Sequence, residues 1–354
     1  MYGFSVFLNE AITDKTMAYV NQMHENGFKG IFTSIHIPED DHSKYLGRLQ
    51  KLGQLAKEKQ LELVVDASGS ALNHLNVGFG NLSSLIEMGI TAIRIDYGIS
   101  NQDVATISRQ MGVALNASTI SNRDIEELTH YGADFSKMEA WHNYYPRPET
   151  GLGKKDFCQQ NDWLKKAGFK VMAFVAGDEK LRGPLYEGLP TLERHRYQHP
   201  LTSALELEKD CLVDKIYVGD PTIKEATIKQ FSSYLLHDTI SFHAVSLGDN
   251  EDIARTGGQH TNRMDAARDV IRSQEGRLRN ANQTIAKGTI MKRSTGSITI
   301  DNDAYGRYRG EVQITKRNLP EDDRVNVVGR IAEDELFLLD YCGPGQRFEI
   351  VWEE

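Results

Sequence analysis

Polar side chains stand where several short apolar runs of the β-strand type come to an end. The set comprises Glu10, His36, Asp66, Ser68, Arg94, Asp96, Asn116, Ser118, Glu139, His142, Asn143, Asp178 and Glu179. In a closed parallel barrel such residues surround the active site, because that face is built from the carboxyl ends of the strands. Any one of them is equally well explained as part of a wet rim or as a helix cap. The concentration of carboxylates is more informative, since these groups serve general acid–base chemistry.

Two of these residues, Arg94 and Asp96, alternate with Ile93 and Ile95. The period of two in a strand predicts that both polar side chains lie on the face opposite the isoleucines and meet at the mouth of a barrel. They are therefore candidates for binding and catalysis, and a structural ion pair is the alternative.

In the sixth apolar run, the same alternation puts Lys137, Glu139, Trp141 and Asn143 on one face. An aromatic ring that stacks on a sugar, beside polar groups that hold its hydroxyls, is typical of a carbohydrate pocket. A position beside Trp141 would raise the pKa of Glu139, as a general acid near neutral pH requires.

The segment 177–196, GDEKLRGPLYEGLPTLERHR, is too rich in glycine and proline to be a plain helix. It follows the seventh apolar run, and barrels often bind phosphate at this point. Its candidate anion ligands are Arg182, Arg194, His195 and Arg196. An ordinary solvated loop is the alternative for each of them. Asp220, by contrast, is expected to cap a helix that has Pro221 at its first position.

Eight apolar runs alternate with amphipathic stretches up to about residue 238. The runs are 3–8, 30–36, 61–67, 92–98, 112–119, 134–145, 170–177 and 215–220. Helical spacing occurs between them, for example over 14–27, where apolar residues recur near a period of 3.6. Eight strand–helix repeats predict a TIM (β/α)8 barrel. An open doubly wound sheet is the alternative, and it is weakened because no GxGxxG follows the first run.

After residue 238 the helical periods fade and strands with turn signals take over. The strand-like runs are ISFHAV, SITIDN, YRGEVQIT, RVNVVGRI, ELFLLDY and RFEIVW, and a helix is expected near 264–273. We therefore predict a barrel over 1–238 followed by a small β-rich domain over 239–354. Because no low-complexity linker separates the two, we expect them to pack closely.

The composition excludes several classes of protein. The 354 residues carry a net charge of -9 without basic runs, so no nucleic-acid partner is expected. Cys158, Cys211 and Cys342 are far apart and form no CxxC pair, so neither a disulfide framework nor a zinc site is expected, and no cofactor is indicated. Neither a signal peptide nor a membrane span is recognisable, which favours a cytoplasmic protein without a membrane partner. The oligomeric state is left open, and a homo-oligomer is compatible with the sequence.

Longer motifs over nearly the whole chain resemble a known family. They are GFSVFLNE, GFKGIFTSIHIPED, LVVDAS, IRIDYG, LNAST, MEAWHNYYPRPETGL, GDEKLRGPLYEGLPTLERHR, TGSITIDNDAYGRYRGEVQI and RVNVVGRI. With these, the chain resembles the MupG-type 6-phospho-N-acetylmuramidases of peptidoglycan recycling, long catalogued as uncharacterised or outer surface proteins. The runs 139–152 and 177–196 are the most specific.

The resemblance implies a barrel fused to a cyclophilin-like β domain. It also implies hydrolysis of N-acetylmuramic acid 6-phosphate from its disaccharide with N-acetylglucosamine, a small phosphorylated substrate that is met after uptake. Glycoside hydrolysis commonly uses two carboxylates. Asp96 and Glu139 are the preferred pair, because they are taken to end two strands of the same barrel half, and Asp66, Glu10 and Asp178 are reserves. The 2-acetamido group of the substrate is an alternative internal nucleophile, and retaining or inverting stereochemistry stays open.

Substrate-binding candidates occur in both domains. Those in the barrel are His36, Arg94, Asn116, Trp141, Asn143, Asp178, Arg182 and Arg196. In the second domain, Asn302, Tyr305 and Arg309 are expected to close over the 6-phosphate. Turn and strand chemistry within the β domain is the alternative for these three.

Three other functions remain open at the level of sequence. A Schiff-base aldolase acting on a sugar phosphate would use Lys137, if the barrel mouth lowered its pKa. A non-enzymatic carbohydrate-binding protein would need fewer acids at its strand ends. A metal-dependent isomerase would draw on His36 and His142, but no HxH or HExxH spacing supports it.

Overall fold

The computed structural model describes residues 1–35, 45–67, 79–95 and 98–353. The chain forms two compact units, Met1–Ile228 and Lys229–Glu354. The division falls within a helix, Glu225–His237. The sequence places its boundary after residue 238, just beyond the end of that helix.

In its described residues, the first unit is a closed barrel of eight parallel strands in sequence order. The strands are β1 (Tyr2–Ser5), β2 (Gly30–Ser34), β3 (Glu62–Asp66), β4 (Ala92–Ile95), β5 (Gly112–Asn116), β6 (Met138–Trp141), β7 (Lys170–Val175) and β8 (Lys215–Val218). Strand β1 pairs with both β2 and β8, which closes the ring. The predicted TIM barrel is confirmed, and each of the eight apolar runs contains one strand.

Helices connect consecutive strands. They are α1 (Asp14–Glu25), α2 (Tyr45–Glu58), α3 (Ser83–Glu87), α4 (Asn101–Ser108), α5 (Asn122–His130), α6 (Lys154–Lys166), α7 (Pro200–Asp210) and α8 (Glu225–His237). The first shows why the sequence folds in this way: Thr13 caps α1 by accepting from the backbone N–H of Thr16, and Val20 and Met23 on its apolar face are buried. The helix predicted over 14–27 is thereby confirmed.

Aromatic side chains fill the middle of the barrel. Phe32, Trp141, Phe174 and Tyr217 belong to one buried cluster, with ring centroids of Trp141 and Tyr217 5.1 Å apart. Glycine makes room for the largest ring: a Cβ at Gly3 would lie 2.3 Å from the ring of Tyr217. The interior is therefore a packed core, and only its ends are available for polar chemistry.

The second unit is built on a mixed sheet with the strand order β10-β15-β9-β14-β12-β13-β11 in the described residues. The strands are β9 (Thr239–Ser246), β10 (Gly258–Thr261), β11 (Val270–Arg272), β12 (Ser297–Asp301), β13 (Val312–Thr315), β14 (Val325–Ile331) and β15 (Arg347–Trp352), and the helices are α9 (Asn250–Thr256) and α10 (Gly276–Arg279). The predicted β-rich domain is confirmed. Its likeness to a cyclophilin stays a prediction.

Two local predictions for the second unit are wrong. The expected helix near 264–273 contains β11, because Ile271 pairs across the sheet with Ile314 of β13. The run ELFLLDY lies in a 3-10 helix, Glu333–Tyr341, rather than a strand. In both places a contact distant in sequence overrides the local pattern.

Cys158 of α6 is bonded to Cys211, which follows α7, and Cys342 is a buried thiol outside this disulfide. The expectation that the cysteines form no disulfide is wrong for this pair, because the fold brings their Cα atoms to 4.9 Å. Among the described helices, none has the length and apolarity required to cross a membrane.

Candidate active site

A cavity of about 1600 Å³ opens at the carboxyl ends of the barrel strands. Of the sequence-predicted site residues, its described lining includes Glu10, Asp66, Arg94, Asn143 and Arg182. The cavity also borders α1 and the loops that follow β1, β6, β7 and β8. It lies on the face where barrel enzymes carry out their chemistry.

At the floor of the cavity, Asp66 ends β3 with its side chain 18% exposed. Its Oδ1 is 2.7 Å from Arg94 Nη1, and Ser34 Oγ donates to its Oδ2 at 3.2 Å. The Nη2 of Arg94 in turn donates to Asn143 Oδ1. These contacts fix the carboxylate in one orientation at the base of the cavity, which suits a group that must act on a substrate held in place.

The second arginine of the cavity has different surroundings. Arg182 lies 3.9 Å from the centroid of the Phe7 ring and donates through Nη1 to Tyr144 Oη at 2.9 Å. Burial raises the pKa of Tyr144, so this phenol stays protonated. Within the described part of the chain, Arg182 has no carboxylate at ion-pair distance, unlike Arg94. Its guanidinium is thus placed to bind an anion that enters the cavity.

The outer rim carries exposed charges. Glu10 is 3.8 Å from Lys180 across the opening, and both side chains are mostly in solvent. Glu179 also lines the cavity. Such exposed pairs stabilise the fold little, so these groups can change partner when a ligand arrives.

Glu139 and Trp141 lie elsewhere. Glu139 is the second residue of β6, so the premise that it ends its strand is wrong. It accepts from Trp141 Nε1 at 2.7 Å and is 2.6 Å from Lys215, which begins β8. Lys215 also binds Glu62, the first residue of β3.

Residues from β3, β6 and β8 can meet only across the barrel interior, and Glu62 and Lys215 begin their strands. This ion-pair cluster therefore closes the amino end of the barrel, away from the cavity. Although burial lowers the pKa of Lys215, the adjacent Glu139 and Glu62 raise it above its ordinary value. Trp141 is fully buried above the cluster, so it does not offer a ring for a sugar to stack on.

The predicted position of Lys137 within the sixth strand is also wrong. It ends a 3-10 turn, Phe135–Lys137, that precedes β6, and its side chain is 42% exposed beside Asp134. The predicted desolvation of this lysine in the barrel mouth is wrong, which removes the argument for an aldolase.

Three further candidates hold loops in place. Asp178 accepts from the backbone of Lys224 at 2.8 Å and from Thr227 Oγ1 at 2.6 Å at the start of α8. Arg196 is clamped on Glu193, with Nε–Oε1 and Nη2–Oε2 distances of 2.7 and 2.6 Å. Asn116 is buried and accepts from Ser118 N. Their expected contact with substrate is not supported, because each polar group is engaged in the protein and none lines the described cavity.

Two further anion-ligand candidates of 177–196, Arg194 and His195, do not line the described cavity. Arg194 and His195 both bind Glu206, at 3.0 and 2.6 Å, and burial lowers the pKa of His195. His142 is likewise buried, and burial lowers its pKa to about 4. As anion ligands, Arg194 and His195 are therefore already occupied by a carboxylate.

Asp220 is structural, though not as the predicted helix cap, because α8 begins at Glu225. Its carboxylate accepts three backbone N–H groups, those of Gly177, Arg182 and Leu189, at 2.8–3.0 Å. Burial raises its pKa. The residue holds the loop that carries Arg182.

The predicted residues of the second unit are engaged within that unit. Asn302 donates to Asp323 O and Asn326 Oδ1, both at 3.0 Å. The guanidinium of Arg324 lies over the ring of Tyr305, with Cζ 4.5 Å from the ring centroid. Arg309 donates to Ala281 O at 2.6 Å. Their closure over a phosphate stays a prediction.

His36 and Asp96 lie outside the described residues. Conversely, sequence reasoning missed Phe7, Ser34 and Tyr144, which line the cavity. Alternation from Phe32 in β2 would have found Ser34. Nothing local identifies Phe7 and Tyr144, because their importance depends on Arg182 from a distant loop.

Two family models match the chain, one for each unit. The family model described as 6-phospho-N-acetylmuramidase, N-terminal, matches residues 2–233, and its C-terminal counterpart matches 241–351. No curated protein matches the chain.

Two solved structures are similar over the full length. A conserved Enterococcus faecalis protein of unknown function is 45% identical, with a TM-score of 0.92, covering 100% of this chain and 96% of its own. An uncharacterized B. cereus protein is 26% identical, with a TM-score of 0.76 and 99% of both chains covered. The barrel, its cavity and both family matches together identify the chain as a member of the 6-phospho-N-acetylmuramidase family, a family of glycosidases.

Proposed function

We propose that this 6-phospho-N-acetylmuramidase cleaves the disaccharide of N-acetylmuramic acid 6-phosphate and N-acetylglucosamine, with Asp66 as one of its catalytic carboxylates. The observation that carries the proposal is the composition of the cavity. One fixed carboxylate, Asp66, lies at its floor, and an arginine without a carboxylate partner in the described chain, Arg182, lies in its wall. A negatively charged sugar needs both.

The phosphate is the part of the substrate that Arg182 recognises. A guanidinium forms short, charge-assisted hydrogen bonds with phosphate oxygens, and its planar fork suits two of them at once. Phe7 and Tyr144 hold the fork against the cavity wall. A ligand anion therefore meets an arginine whose side chain is already ordered, which reduces the entropy lost on binding.

Asp66 acts on the reacting end of the sugar. As a carboxylate paired with Arg94, it suits the nucleophile, the base or the group that orients the 2-acetamido nucleophile, more than it suits the proton donor. Two residues are candidates for the proton donor. Glu10 is on the rim of the cavity, and Asp96, outside the described residues, stays a candidate because it is two positions after Arg94 in the sequence.

The test is turnover of the phosphorylated disaccharide and of its unphosphorylated form by the wild type and three variants. We expect cleavage of the phosphorylated substrate alone. Asp66→Asn should lower kcat by about 100-fold or more, because a positioned carboxylate contributes on that order. Asp96→Asn and Glu10→Gln then identify the proton donor.

Glu139→Gln is the matched control, since Glu139 is a partly buried carboxylate that binds Lys215 at the opposite end of the barrel. It should retain turnover if it folds. A wild type that cleaves neither substrate would refute the proposal. Full activity of a folded Asp66→Asn would leave the reaction in place but remove Asp66 from it.

We also propose that the reaction belongs to peptidoglycan recycling in the cytoplasm, where a disaccharide phosphorylated during uptake would arrive. Deletion of the gene should then cause the phosphorylated disaccharide to accumulate in the soluble fraction of the cell. Accumulation outside the cell would contradict the location, and the absence of accumulation would contradict the role.

A further inference from the structure

We propose that Tyr186 is the stacking platform for the second sugar of the substrate, the N-acetylglucosamine that leaves. This inference rests on the proposed function and extends it to the recognition of the leaving group. Tyr186 lines the cavity and its side chain is 64% exposed. Tyr144, another tyrosine of the cavity, is instead packed against Phe32 and Phe174.

The loop presents this ring in a fixed position. Asp220 binds the backbone N–H of Gly177, Arg182 and Leu189, which holds the loop on both sides of Tyr186. Arg196 donates to the carbonyls of Glu187 and Gly188 at 3.2 Å. An exposed aromatic ring on an anchored loop loses little conformational entropy when a ligand covers it.

The ring is supported from below. A Cβ at Gly183 would lie 3.0 Å from Tyr186 Oη and 3.1 Å from Cζ, so the hydroxyl end of the ring lies close to this glycine. Tyr186 itself has φ of 56°, a conformation that tyrosine rarely adopts. Retaining a bulky residue at such a position costs free energy, and strain of this kind concentrates at functional sites.

The chemistry fits a pyranose. The face of a sugar ring presents C–H groups that pack on an aromatic ring, while its hydroxyls and amide stay available to polar neighbours. Tyr186 is four residues from Arg182, the proposed phosphate ligand, and its side chain is far more exposed than those of Arg94 and Asp66, which are 6% and 18% exposed. The sugar nearer the floor is therefore the phosphorylated one, and the ring that covers Tyr186 is the leaving N-acetylglucosamine.

The experiment compares two substrates of the same anomeric configuration. One is the phosphorylated disaccharide and the other is the methyl glycoside of N-acetylmuramic acid 6-phosphate, which lacks the second sugar. Tyr186→Asn removes the ring with a residue that tolerates positive φ, so the variant should fold. We expect kcat/KM to fall about tenfold for the disaccharide and to stay unchanged for the methyl glycoside.

Two variants serve as controls. Tyr186→Phe keeps the ring and should retain the activity of the wild type on both substrates. Tyr197→Ala removes a tyrosine that is 80% exposed near the end of the same loop but outside the cavity lining, and it should change neither rate.

Equal losses on both substrates in Tyr186→Asn would overturn the proposal, since the residue would then act on the fold or on the phosphorylated sugar. No loss on either substrate would overturn it as well. A wild type that cleaves neither substrate would refute the proposed function, and the stacking proposal with it. This outcome is distinguishable from failure of the stacking proposal alone, because it is seen without any variant.

Discussion

Asp66 and Glu139 are both carboxylates on inward-facing positions of barrel strands, yet the structure gives them opposite surroundings. Asp66 is the last residue of β3 and borders the cavity. Glu139 is the second residue of β6 and binds Lys215 at the amino end. Alternation determines which face of a strand a side chain occupies, but the position along the strand decides which end of the barrel it reaches.

At the residue scale, Arg182→Met tests recognition of the phosphate. Losing a charge-assisted hydrogen bond costs about 1.5–3 kcal/mol, so KM for the phosphorylated disaccharide should rise about 10- to 100-fold. The value of kcat should change less, because the proposed contact is made in both the bound state and the transition state. Steady-state kinetics of the purified variant measure both parameters.

Arg123→Met is the control, because Arg123 is largely exposed on α5 and binds only Glu127 among the described residues. An unchanged KM in Arg182→Met would remove Arg182 from phosphate binding. Any activity toward an unphosphorylated analogue should fall less in Arg182→Met than the activity toward the phosphorylated disaccharide.

At the scale of elements, the residues at the start of three short strands close the amino end of the barrel. Strands β3, β6 and β8 begin with or next to Glu62, Glu139 and Lys215, and these side chains meet across the interior. The aromatic cluster lies above them, so Lys215 offsets part of the negative charge of the two carboxylates where little water reaches them. The amino end is thus a structural closure, and the other end is free to form the site.

Lys215→Met should therefore destabilise the barrel by about 3–5 kcal/mol, since it leaves two carboxylates partly buried without their cation. Urea unfolding of the intact chain measures the change. Lys166→Met is a matched control on an exposed pair with Asp162, for which we expect a change within about 0.5 kcal/mol.

Adding Glu62→Gln and Glu139→Gln to Lys215→Met should recover part of the lost stability, because the buried negative charge is then removed. A Lys215→Met variant as stable as the wild type would show that the cluster is hydrated or rearranged. That outcome would also weaken the use of Glu139→Gln as an inert control.

At the scale of the whole molecule, the second unit contains a buried carboxylate whose titration should affect its stability. In the second unit, Asp301 of β12 is buried near Glu311 and Asp322. Burial, reinforced by repulsion from these carboxylates, raises the pKa of Asp301 to about 7 from an ordinary value of 3.8. The folded unit therefore keeps a proton that the unfolded chain would release.

Because the folded state binds this proton more tightly, Asp301 should make the free energy of unfolding fall as pH rises from about 4 to about 7. The contribution reaches about 4 kcal/mol at most, at 1.36 kcal/mol per pH unit. Asp301→Asn stays neutral and should flatten this dependence. Pulse-labelling hydrogen exchange of the β12 and β13 peptides in urea, on the intact chain at pH 5 and pH 8, measures it.

Asp269→Asn is the comparison for this test, since Arg268 lowers the pKa of Asp269 and its titration falls below the pH range in question. It should retain the pH dependence of the wild type. An Asp301→Asn variant with the full dependence would assign the effect to another group.

The architecture could be predicted from the sequence alone, because hydrophobic periodicity is a local property that survives in the fold. Each of the eight apolar runs contains a strand, and the family motifs extend over both units. The sequence also placed Asp66, Arg94 and Asn143 at the cavity, since each stands at or near a strand end, and Arg182, which belongs to the loop after β7.

Only the tertiary structure decided which polar residues are available for chemistry. The sixth run, 134–145, is far longer than the strand Met138–Trp141 within it, so sequence could not tell that Glu139 is near the strand's start. Arg196 and Arg182 belong to the same loop, but Glu193 forms an ion pair with Arg196, whereas Arg182 has no carboxylate at ion-pair distance among the described residues and donates to Tyr144. Phe7 and Tyr144, the partners of Arg182, come from distant parts of the chain, so folding brings them together and local sequence carries no record of the distances between them.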